Sequence, residues 1–497
     1  MDHHLSHLLA SPTIFSSLII SILFLILISL KLVKLLRAIF SGRKVVSPPG
    51  PWRLPIVGSI HHLGGTTSSS LPHRRFKELS LRYGPLMHLQ LGQVSTVVVS
   101  SAEIAQEVLK TNDLIFANRP CTHASEILLY GPSDIIFSPF GHHWKLLRKI
   151  ASLQMLNGRR VRSLQSMWIK KEVSSLMKSL KEEAGSCVNL SEKVFVTISG
   201  ITSRSAFGKK HNKGRHLEAI MQVSERISES THETVVSHLF PSWKWLQVLV
   251  GETRVVEEIC RNSDLVLRNI LVGEEEEEED DDDEEEEGEC LLKTLLEMKD
   301  QEAPPTLVEW AMAEMMKNPR IMRKAQAEVR QAYRSKGHIN ETNIEELEYL
   351  KAIIKETLRL HPPAPLMAPR ECTQTCEING YTIPTGTQVI VNVWAIERDS
   401  KYWGSSAEEF LPERFVKSWI DYRGSNFEYI PFGAGKRICP GMGFGVGIVE
   451  IVLAHLLCFF DWELPSGITA ETLDMGEYLS STLRRKNKLI LIPISCI

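Results

Sequence analysis

The 497-residue sequence has a globular composition, with 43% hydrophobic and 24% charged residues, and is long enough for a large buried core in one or two lobes. Its net charge is −3 because of an unbroken acidic run from Glu274 to Glu287, without which the chain is basic. The basic residues are not interleaved with aromatic ones, which argues against a nucleic-acid partner, whereas a basic body suits an acidic protein or an anionic membrane. The nine cysteines form no C-x-x-C pair, which argues against a disulfide framework or a zinc site and predicts reduced thiols.

The N-terminal segment predicts a membrane anchor. Residues Ile14 to Leu30 carry no charge, and their number is at the short end of what can span a bilayer. No Lys or Arg precedes them, whereas five basic residues follow between positions 31 and 44. This order favours a retained anchor, comprising residues 1–44 with the basic flank, over the alternatives of a cleaved secretory signal or a buried core helix.

After the anchor, residues 45–55 contain SPPGPWRLP, whose four prolines and one glycine oppose helix and strand pairing and predict a stiff hinge. The body, residues 56–497, shows helical periodicity from Ala102 to Leu180 and from Thr306 to Leu360. The stretch CEINGYTIPTGTQVIVNVWA alternates and contains turn residues, which predicts a strand hairpin. We therefore expect a mainly α fold with a small β portion. The acidic run 274–287 predicts a disordered surface loop, with a docking or cation-binding segment as the alternative.

The stretch PFGAGKRICPGMGFG places five glycines and two cations around Cys439. A thiolate is a soft ligand for iron, and nearby cations, backbone N–H groups and the N-terminus of a following helix stabilise its charge. Glycines at 433, 435 and 441 allow the backbone to approach the sulfur. A lone cysteine is more often an inert core thiol. The interpretation as a ligand therefore depends on the whole pattern.

Phe432, Gly435, Arg437, Cys439 and Gly441 match F-x-x-G-x-R-x-C-x-G, and this stretch resembles the haem-binding loop of the cytochrome P450 superfamily. The resemblance covers essentially the whole chain and implies the cytochrome P450 fold, haem b ligated by Cys439, and a monooxygenase that takes NADPH-derived electrons from a separate reductase. The chain is most similar to the plant microsomal branch that oxidises specialised metabolites, including members that act on terpenoids. This branch implies a single-pass protein of the endoplasmic reticulum membrane whose body faces the cytosol.

Further motifs support the resemblance. Glu356 and Arg359, in KETLRLHPP, lie one helical turn apart and share a face. Alone, such a pair is usually a surface ion pair. Together with Arg414, in FLPERF, it resembles the buried Glu-Arg-Arg cluster of the family.

The stretch HHWKLLRK places Trp144 and Arg148 on one helix face. By the resemblance, this pair holds a haem propionate, and Arg370 and Arg437 are the remaining propionate partners. Without the other motifs, an amphipathic helix with a surface arginine explains the pattern equally well.

One departure concerns the helix that crosses the distal face of the haem in the family, which carries an acid and an alcohol that deliver protons. TLVEWAMAEMMKNP matches the end of that helix, but no Gly-x-Asp-Thr precedes it. Aligned backward, Glu302 falls on the acid position and Ala303 on the alcohol, and Pro304-Pro305 opposes a helix interior. Since crossing a domain takes about 30 Å of helix, we infer that a segment near 296–305 is missing, with Glu302 a weak replacement.

Two functions stay open. The first is a monooxygenase that hydroxylates a small apolar substrate, and the second is a haem-binding but inactive or misfolded variant. A third, the oxygen-independent peroxide-rearranging branch, also lacks the alcohol, but its members tend to lack an anchor and have an altered cysteine loop. By family position, substrate contacts come from the region 122–137 and from Leu366, Met367 and Leu479, where apolar residues are equally ordinary core.

Overall fold

The computed structural model describes Ser29 and residues 46–64, 71–121, 123–128, 134–156, 169–207, 222–223, 226–227, 235–275, 303–339 and 341–496. The chain separates into a small unit, residues 1–47 with Gly380–Thr382, and a large unit that comprises the rest. In the small unit the amide of Thr382 donates to the carbonyl oxygen of Val46 at 2.9 Å. The candidate site and the core lie in the large unit.

The described residues are mainly helical, which confirms the predicted fold class. The helices of the first half are α1 (Pro72–Tyr83), α2 (Ala102–Gln106), α3 (His123–Leu128), α4 (His142–Ile150), α5 (Lys170–Glu182), α6 (Leu190–Phe207), α7 (Val235–Leu239), α8 (Lys244–Leu249) and α9 (Glu252–Glu275). Those of the second half are α10 (Ala303–Lys317), α11 (Pro319–Lys336), α12 (Glu341–Ile344), α13 (Glu348–Leu360), α14 (Val393–Ile396), α15 (Ser400–Trp403) and α16 (Met442–Phe459). Single π-helical turns, Glu107–Thr111 and Ala151–Met155, continue α2 and α4, and short 3-10 turns occur at Ile60–His62, Pro412–Phe415 and Gly435–Arg437.

The β portion is small. Its strands are β1 (Leu86–Leu91), β2 (Val94–Val99), β3 (Val188–Asn189), β4 (Arg370–Glu371), β5 (Cys376–Ile378), β6 (Tyr381–Ile383), β7 (Gln388–Val391), β8 (Phe460–Glu463), β9 (Glu477–Leu479), β10 (Leu483–Arg485) and β11 (Ile490–Ser495). The largest sheet has the order β1-β2-β7-β4, in which only the β2–β7 pair is parallel. Strand β11 joins β3 and β8 in a second, antiparallel sheet, and β9 pairs with β10.

The predicted hairpin region forms β5, β6 and β7. Between β5 and β6, Asn379 and Gly380 both have positive φ, 48° and 76°. Two successive residues with positive φ define the type I′ turn, for which Asn-Gly is the preferred sequence. The dipeptide therefore explains where this hairpin turns.

The core of the large unit is built around α10 and α16. All twelve side chains from Pro305 to Met316 are buried, including those of Glu309 and Glu314, so α10 is enclosed on every side. Its neighbours are α6, α11, α13, α16 and β10. The prolines at 304 and 305 lie in its first turn, where a missing N–H removes no hydrogen bond. The indole N–H of Trp310 donates to the carbonyl oxygen of Leu483 at 3.1 Å and fixes the helix against β10.

Several sequence predictions fall on residues beyond those described. The anchor segment, apart from Ser29, lies outside the described residues, as do most of the acidic run and Glu302. Within the described residues one helix, α16, is long and apolar enough to span a membrane, but more than half of it is buried in the fold. Since Val449, Val452 and Leu456 are completely buried in the core cluster, α16 is a core helix.

A buried ionic cluster joins α13 to the segment that follows α15. Glu356 accepts hydrogen bonds from Arg359 at 2.8 and 2.9 Å, from Arg414 at 3.0 Å, and from the amide of Leu411 at 2.8 Å. The side chains of Glu356 and Arg359 are completely buried, and that of Arg414 is 11% exposed. Arg359 also donates to the carbonyl oxygens of three residues, namely Glu397, Ala407 and Glu409.

We expect Arg359→Ala to lower the free energy of unfolding by about 3–5 kcal/mol, because it leaves Glu356 underpaired in the core and deprives the carbonyl groups of Glu397 and Ala407 of their donor. Urea denaturation followed by circular dichroism measures the change. Arg423→Ala is the matched control, since this arginine is 74% exposed and pairs with Asp421 at the surface. Equal midpoints for the two variants would contradict a stabilising role for the cluster.

Candidate active site

The segment from Ile430 to Gly441, here called the Cys439 loop, is closed by its own backbone. The amide of Cys439 donates to the carbonyl oxygen of Phe432 at 3.0 Å, and the amide of Gly433 donates to that of Ile430 at 2.9 Å. Gly435 has a φ of +70°, which favours glycine. A Cβ at Gly435 would lie 2.2 Å from the carbonyl oxygen of Leu109, so the close approach of the π-helical turn also requires glycine.

The surroundings of Cys439 favour a negative charge on its sulfur. Helix α16 begins at Met442, three residues further on, and its Gly441 cap supplies no side-chain hydrogen bond. Burial lowers the pKa of the Arg148 guanidinium, and the charge of Cys439 opposes that shift, which places Arg148 within electrostatic reach of the sulfur. A helix N-terminus and a nearby arginine are the features that stabilise thiolates. None of the eight cysteines in the described part of the chain belongs to a disulfide.

The residues expected to hold propionates surround the Cys439 loop. The guanidinium carbon of Arg437 lies 4.4 Å from the ring centroid of Trp144, and that of Arg148 lies 5.9 Å from it. Arg370 donates to the carbonyl oxygen of Ala434 at 3.0 Å and contacts Asp113 at 3.3 Å. The structure therefore brings together Trp144, Arg148, Arg370 and Arg437, although they are distant in the sequence.

The donor groups of Trp144 and Arg437 are already engaged with the backbone. The indole N–H of Trp144 donates to the carbonyl oxygen of Ile135 at 3.0 Å. Arg437 donates through Nε to the carbonyl oxygen of Ala117 at 2.8 Å, and through Nη2 to that of Ser138. The two Arg437 bonds attach the Cys439 loop to the chain that precedes α4, at Ala117 and at Ser138.

Arg119 is a member of this group that the sequence analysis did not identify. It donates to the carbonyl oxygens of Ile136 at 3.1 Å and Pro369 at 2.8 Å. Burial, and then the charges of Arg370 and Arg437, lower its pKa well below the ordinary value. In the sequence Arg119 occurs in FANRP, without a partner at helical spacing. Its position therefore becomes visible only when distant segments are brought together.

Positive charge exceeds negative charge at this place. Burial lowers the pKa of Arg370 and of Arg437 to about 10, and the charge of Arg370 contributes to the second shift. Asp113 and Asp134 act in the opposite direction on Arg437. Among the described residues, four arginines are therefore matched by two carboxylates at this place. A bound dianion would relieve the repulsion between buried cations.

The residues suggested as substrate contacts do not form one group in the structure. Met367, with a φ of +51°, places its sulfur 3.7 Å from where a Cβ on Gly433 would lie. Leu366 packs instead against the cluster that includes Phe76 and Met87, beside the β1–β2 sheet. Leu479 pairs with Leu483 in β9–β10, next to α10. Met367 is therefore the member of the three in contact with the Cys439 loop.

The start of α10 approaches the same loop. Pro304 Cγ lies 3.6 Å from where a Cβ on Gly445 would lie, in the first turn of α16. Gly445 follows Cys439 by six residues, and its amide donates to the carbonyl oxygen of Gly441 at 2.9 Å. The first turns of α10 and α16 are thus in contact just beyond the Cys439 loop.

Comparisons with known proteins identify the family of the chain. The sequence model of the family Cytochrome P450 matches residues 48–307 and 302–492. The chain belongs to the cytochrome P450 family. It is 45% identical over 471 residues to desmethyl-deoxy-podophyllotoxin synthase of Sinopodophyllum hexandrum, which covers 90% of this chain and 91% of that protein. It is 42% identical to premnaspirodiene oxygenase of Hyoscyamus muticus and 44% identical to germacrene A hydroxylase of Barnadesia spinosa, each covering 90% of this chain and 92% of the relative.

The fold is shared with solved structures as well. A zebrafish cytochrome P450 with progesterone has a TM-score of 0.71 and covers 85% of this chain and 99% of its own, at 23% identity. The chain is therefore a monooxygenase with haem as its cofactor, as the resemblance implied.

The residues of the Cys439 loop fit that cofactor chemically. A single sulfur in a glycine-rich loop suits an iron ligand, and no cluster of three or more His, Cys, Asp or Glu side chains within the described residues offers another metal site. The excess of buried arginine suits two propionates. Cys439, with Arg148, Arg370 and Arg437, would therefore hold the haem.

We expect Gly435→Ala to reduce the haem content of the purified protein to a small fraction of the parent value. The new methyl group would displace the backbone of Leu109 or of the loop, and a side chain at this φ adds about 1–2 kcal/mol of strain. The haem-to-protein ratio, from absorption and amino-acid analysis, measures the effect. Gly443→Ala is the control, because no atom lies within 4 Å of its Cβ position. A haem-to-protein ratio in Gly435→Ala equal to that of the parent would show that the close approach of Gly435 to Leu109 is not needed for haem binding.

Proposed function

We propose that this cytochrome P450 hydroxylates a small apolar plant metabolite of the terpenoid class, with electrons delivered from NADPH by a separate reductase. The Cys439 loop among its buried arginines is the observation that carries the proposal. Two relatives, named as premnaspirodiene oxygenase and germacrene A hydroxylase, support an apolar terpenoid substrate, although a third is named for a podophyllotoxin.

Each part of the site has a role in this proposal. When bound, haem supplies the centre at which O2 is reduced by two electrons, so that one oxygen atom enters a C–H bond and the other leaves as water. Cys439 would ligate the haem iron, and Arg148 with the N-terminus of α16 would keep its sulfur anionic. Arg370 and Arg437 would hold the propionates, and Phe432, Gly435 and Gly441 would give the loop its shape.

We further propose that the chain lacks part of the distal helix, near residues 296–305. In support, the family model matches in two segments that overlap at residues 302–307. The alignment with the synthase has 471 positions, roughly two dozen more than the covered 90% of 497 residues can supply. The proton-delivering acid and alcohol are then absent, and Glu302 is the remaining candidate acid.

The contact between Pro304 and Gly445 favours a second candidate function for the chain as written. In the family the haem lies between the distal helix and the cysteine loop, and here the first turn of α10 reaches the first turn of α16. The second candidate is therefore a haem-poor or uncoupled variant that consumes NADPH without forming product.

The two functions are separated by expressing the full chain with a plant reductase. We expect the reduced carbon-monoxide complex of the parent to show thiolate-ligated haem and Cys439→Ala to lack this spectrum. We also expect that inserting a family-like segment with Gly-x-Asp-Thr between Gln301 and Thr306 raises both haem content and product formed per NADPH. A thiolate spectrum in Cys439→Ala would refute the ligand assignment. If the parent forms product in tight coupling to NADPH consumption, the proposal that a segment is missing is refuted. Glu302→Gln then tests whether Glu302 delivers the protons.

We propose that residues 1–44 anchor the protein in the endoplasmic reticulum membrane by a single span, with the body in the cytosol. Two neighbouring segments of the large unit support contact with lipid, since Ile56 is 67% exposed and Trp245 and Leu249 are 64% and 74% exposed. The β1–β2 turn holds these segments together. The amide of Gly92 donates to the carbonyl oxygen of Val57, and the amide of Gln93 donates to the carbonyl oxygen of Leu239.

Deletion of residues 1–44 should release most of the protein from microsomes, and adding Trp245→Ser and Leu249→Ser should release the remainder, because the apolar side chains lose contact with the bilayer. Sedimentation measures the bound fraction, and Trp419→Ser, at an 80% exposed tryptophan elsewhere, is the control. Protease added to intact microsomes should digest the body. Protection of the body would reverse the topology.

A further inference from the structure

We propose that Glu397 is a positioning residue of the Cys439 loop: its buried carboxyl group holds Ile430, where the loop begins, in place relative to Arg359. The inference rests on the proposed role of Cys439 as the haem ligand. It concerns a residue outside the Glu356, Arg359 and Arg414 cluster, on the short segment between α14 and α15.

The contacts of Glu397 connect the ionic cluster to the loop. Glu397 and Ile430 are both completely buried. Oε1 of Glu397 accepts a hydrogen bond from the amide of Ile430 at 2.9 Å. The main-chain carbonyl oxygen of Glu397 accepts from Nη1 of Arg359 at 2.8 Å. One residue therefore contacts the cluster through its backbone and the loop through its side chain.

From Ile430 the hydrogen bonds continue to the ligand. The carbonyl oxygen of Ile430 accepts from the amide of Gly433, and that of Phe432 accepts from the amide of Cys439 at 3.0 Å. The preceding residue, Tyr429, is fixed separately, since its hydroxyl donates to the carbonyl oxygen of Lys355 at 2.8 Å. Without the carboxyl group of Glu397, the Ile430 amide would be buried without an acceptor, a state that proteins avoid.

Glu397 acts here as a hydrogen-bond acceptor and not as an ion-pair partner. The five N–H groups of Arg359 are all directed elsewhere, to Glu356 and to the carbonyl oxygens of Glu397, Ala407 and Glu409. Arg398 donates to the carboxylate of Glu408 and to the carbonyl oxygen of Leu360.

The remaining charge relations of Glu397 agree with a neutral carboxyl group. Its Oε2 has no hydrogen-bond partner in the described structure. Burial raises the pKa of this carboxyl group well above its usual range, against the smaller effects of the Ile430 amide, Arg359 and Arg398. Since a neutral acid and an amide present the same acceptor oxygen, glutamine should replace Glu397 without loss.

The test compares Glu397→Gln and Glu397→Leu with the parent, in the full-length protein. Leucine keeps the bulk but removes the acceptor, so we expect hydrogen–deuterium exchange of the peptides that cover residues 430–439 to become about tenfold faster. The thiolate spectrum of the carbon-monoxide complex should also be lost faster on standing. Glutamine should behave as the parent in both measurements.

The global stability of the leucine variant separates positioning from general support of the fold. Because leucine leaves only the Ile430 amide without an acceptor, the urea midpoint should fall slightly, and the faster exchange should be confined to the peptides that cover residues 430–439. Glu409→Leu is the control, since that side chain is exposed while its carbonyl oxygen contacts Arg359. If Glu397→Leu does not accumulate as folded protein, Glu397→Met is measured in its place.

The outcomes are distinct. Hydrogen exchange that is unchanged in Glu397→Leu overturns the inference. Exchange that is equally fast in Glu397→Leu and Glu397→Gln also overturns it, because a neutral acceptor at residue 397 would then have no role. A parent protein without a thiolate spectrum refutes Cys439 as ligand, whereas hydrogen exchange still decides whether Glu397 holds the loop.

Discussion

The hydrogen bonds of the Arg359 guanidinium group are the interaction on which the chain leading to the Cys439 loop depends. Completely buried, the guanidinium uses all five N–H groups, two on Glu356 and three on carbonyl oxygens of the chain between residues 397 and 409. A lysine could not serve these directions, because its three donors lie around one nitrogen atom. The segment that is organised in this way has little regular secondary structure, and it leads directly into the Cys439 loop.

The opposite side of the loop is organised by excess charge. Arg119, Arg370 and Arg437 form hydrogen bonds with backbone carbonyl groups more than with carboxylates, so their charges are held in position but only partly neutralised. Such an arrangement costs stability before the cofactor binds and stabilises the complex afterwards. The two sides of the loop therefore differ in their charge balance. On one side the arginine charge is paired with Glu356 and fixes the backbone, and on the other the arginine charge exceeds the carboxylate charge and suits an anion.

Sequence patterns at short range were sufficient to predict much of the fold and of the candidate site. The mainly helical fold, the type of loop around Cys439 and the pairing of Glu356 with Arg359 follow from spacing within about ten residues, where helical period and glycine content are informative. Arg119 and Glu397 escaped because their partners lie at Pro369 and Ile430, far along the chain, and neither residue has a local pattern. Leu366 shows the other limit, since an apolar side chain in the sequence does not reveal which of two clusters it joins.

The bond from the Trp310 indole to the carbonyl oxygen of Leu483 sets the rotational phase of α10 as well as its position. Each residue of an α-helix turns by about 100° around the axis. Any helical segment that replaces residues 302–305 and continues α10 upstream of Thr306 therefore inherits its angular phase from Trp310. Only about one in every three or four added side chains can point toward the Cys439 loop. If the sequence of such a segment is shifted by one residue, the side chain that faces the loop is replaced by a neighbour that points away. The register of the added residues, and not their composition alone, therefore determines whether an added acid and alcohol face the site.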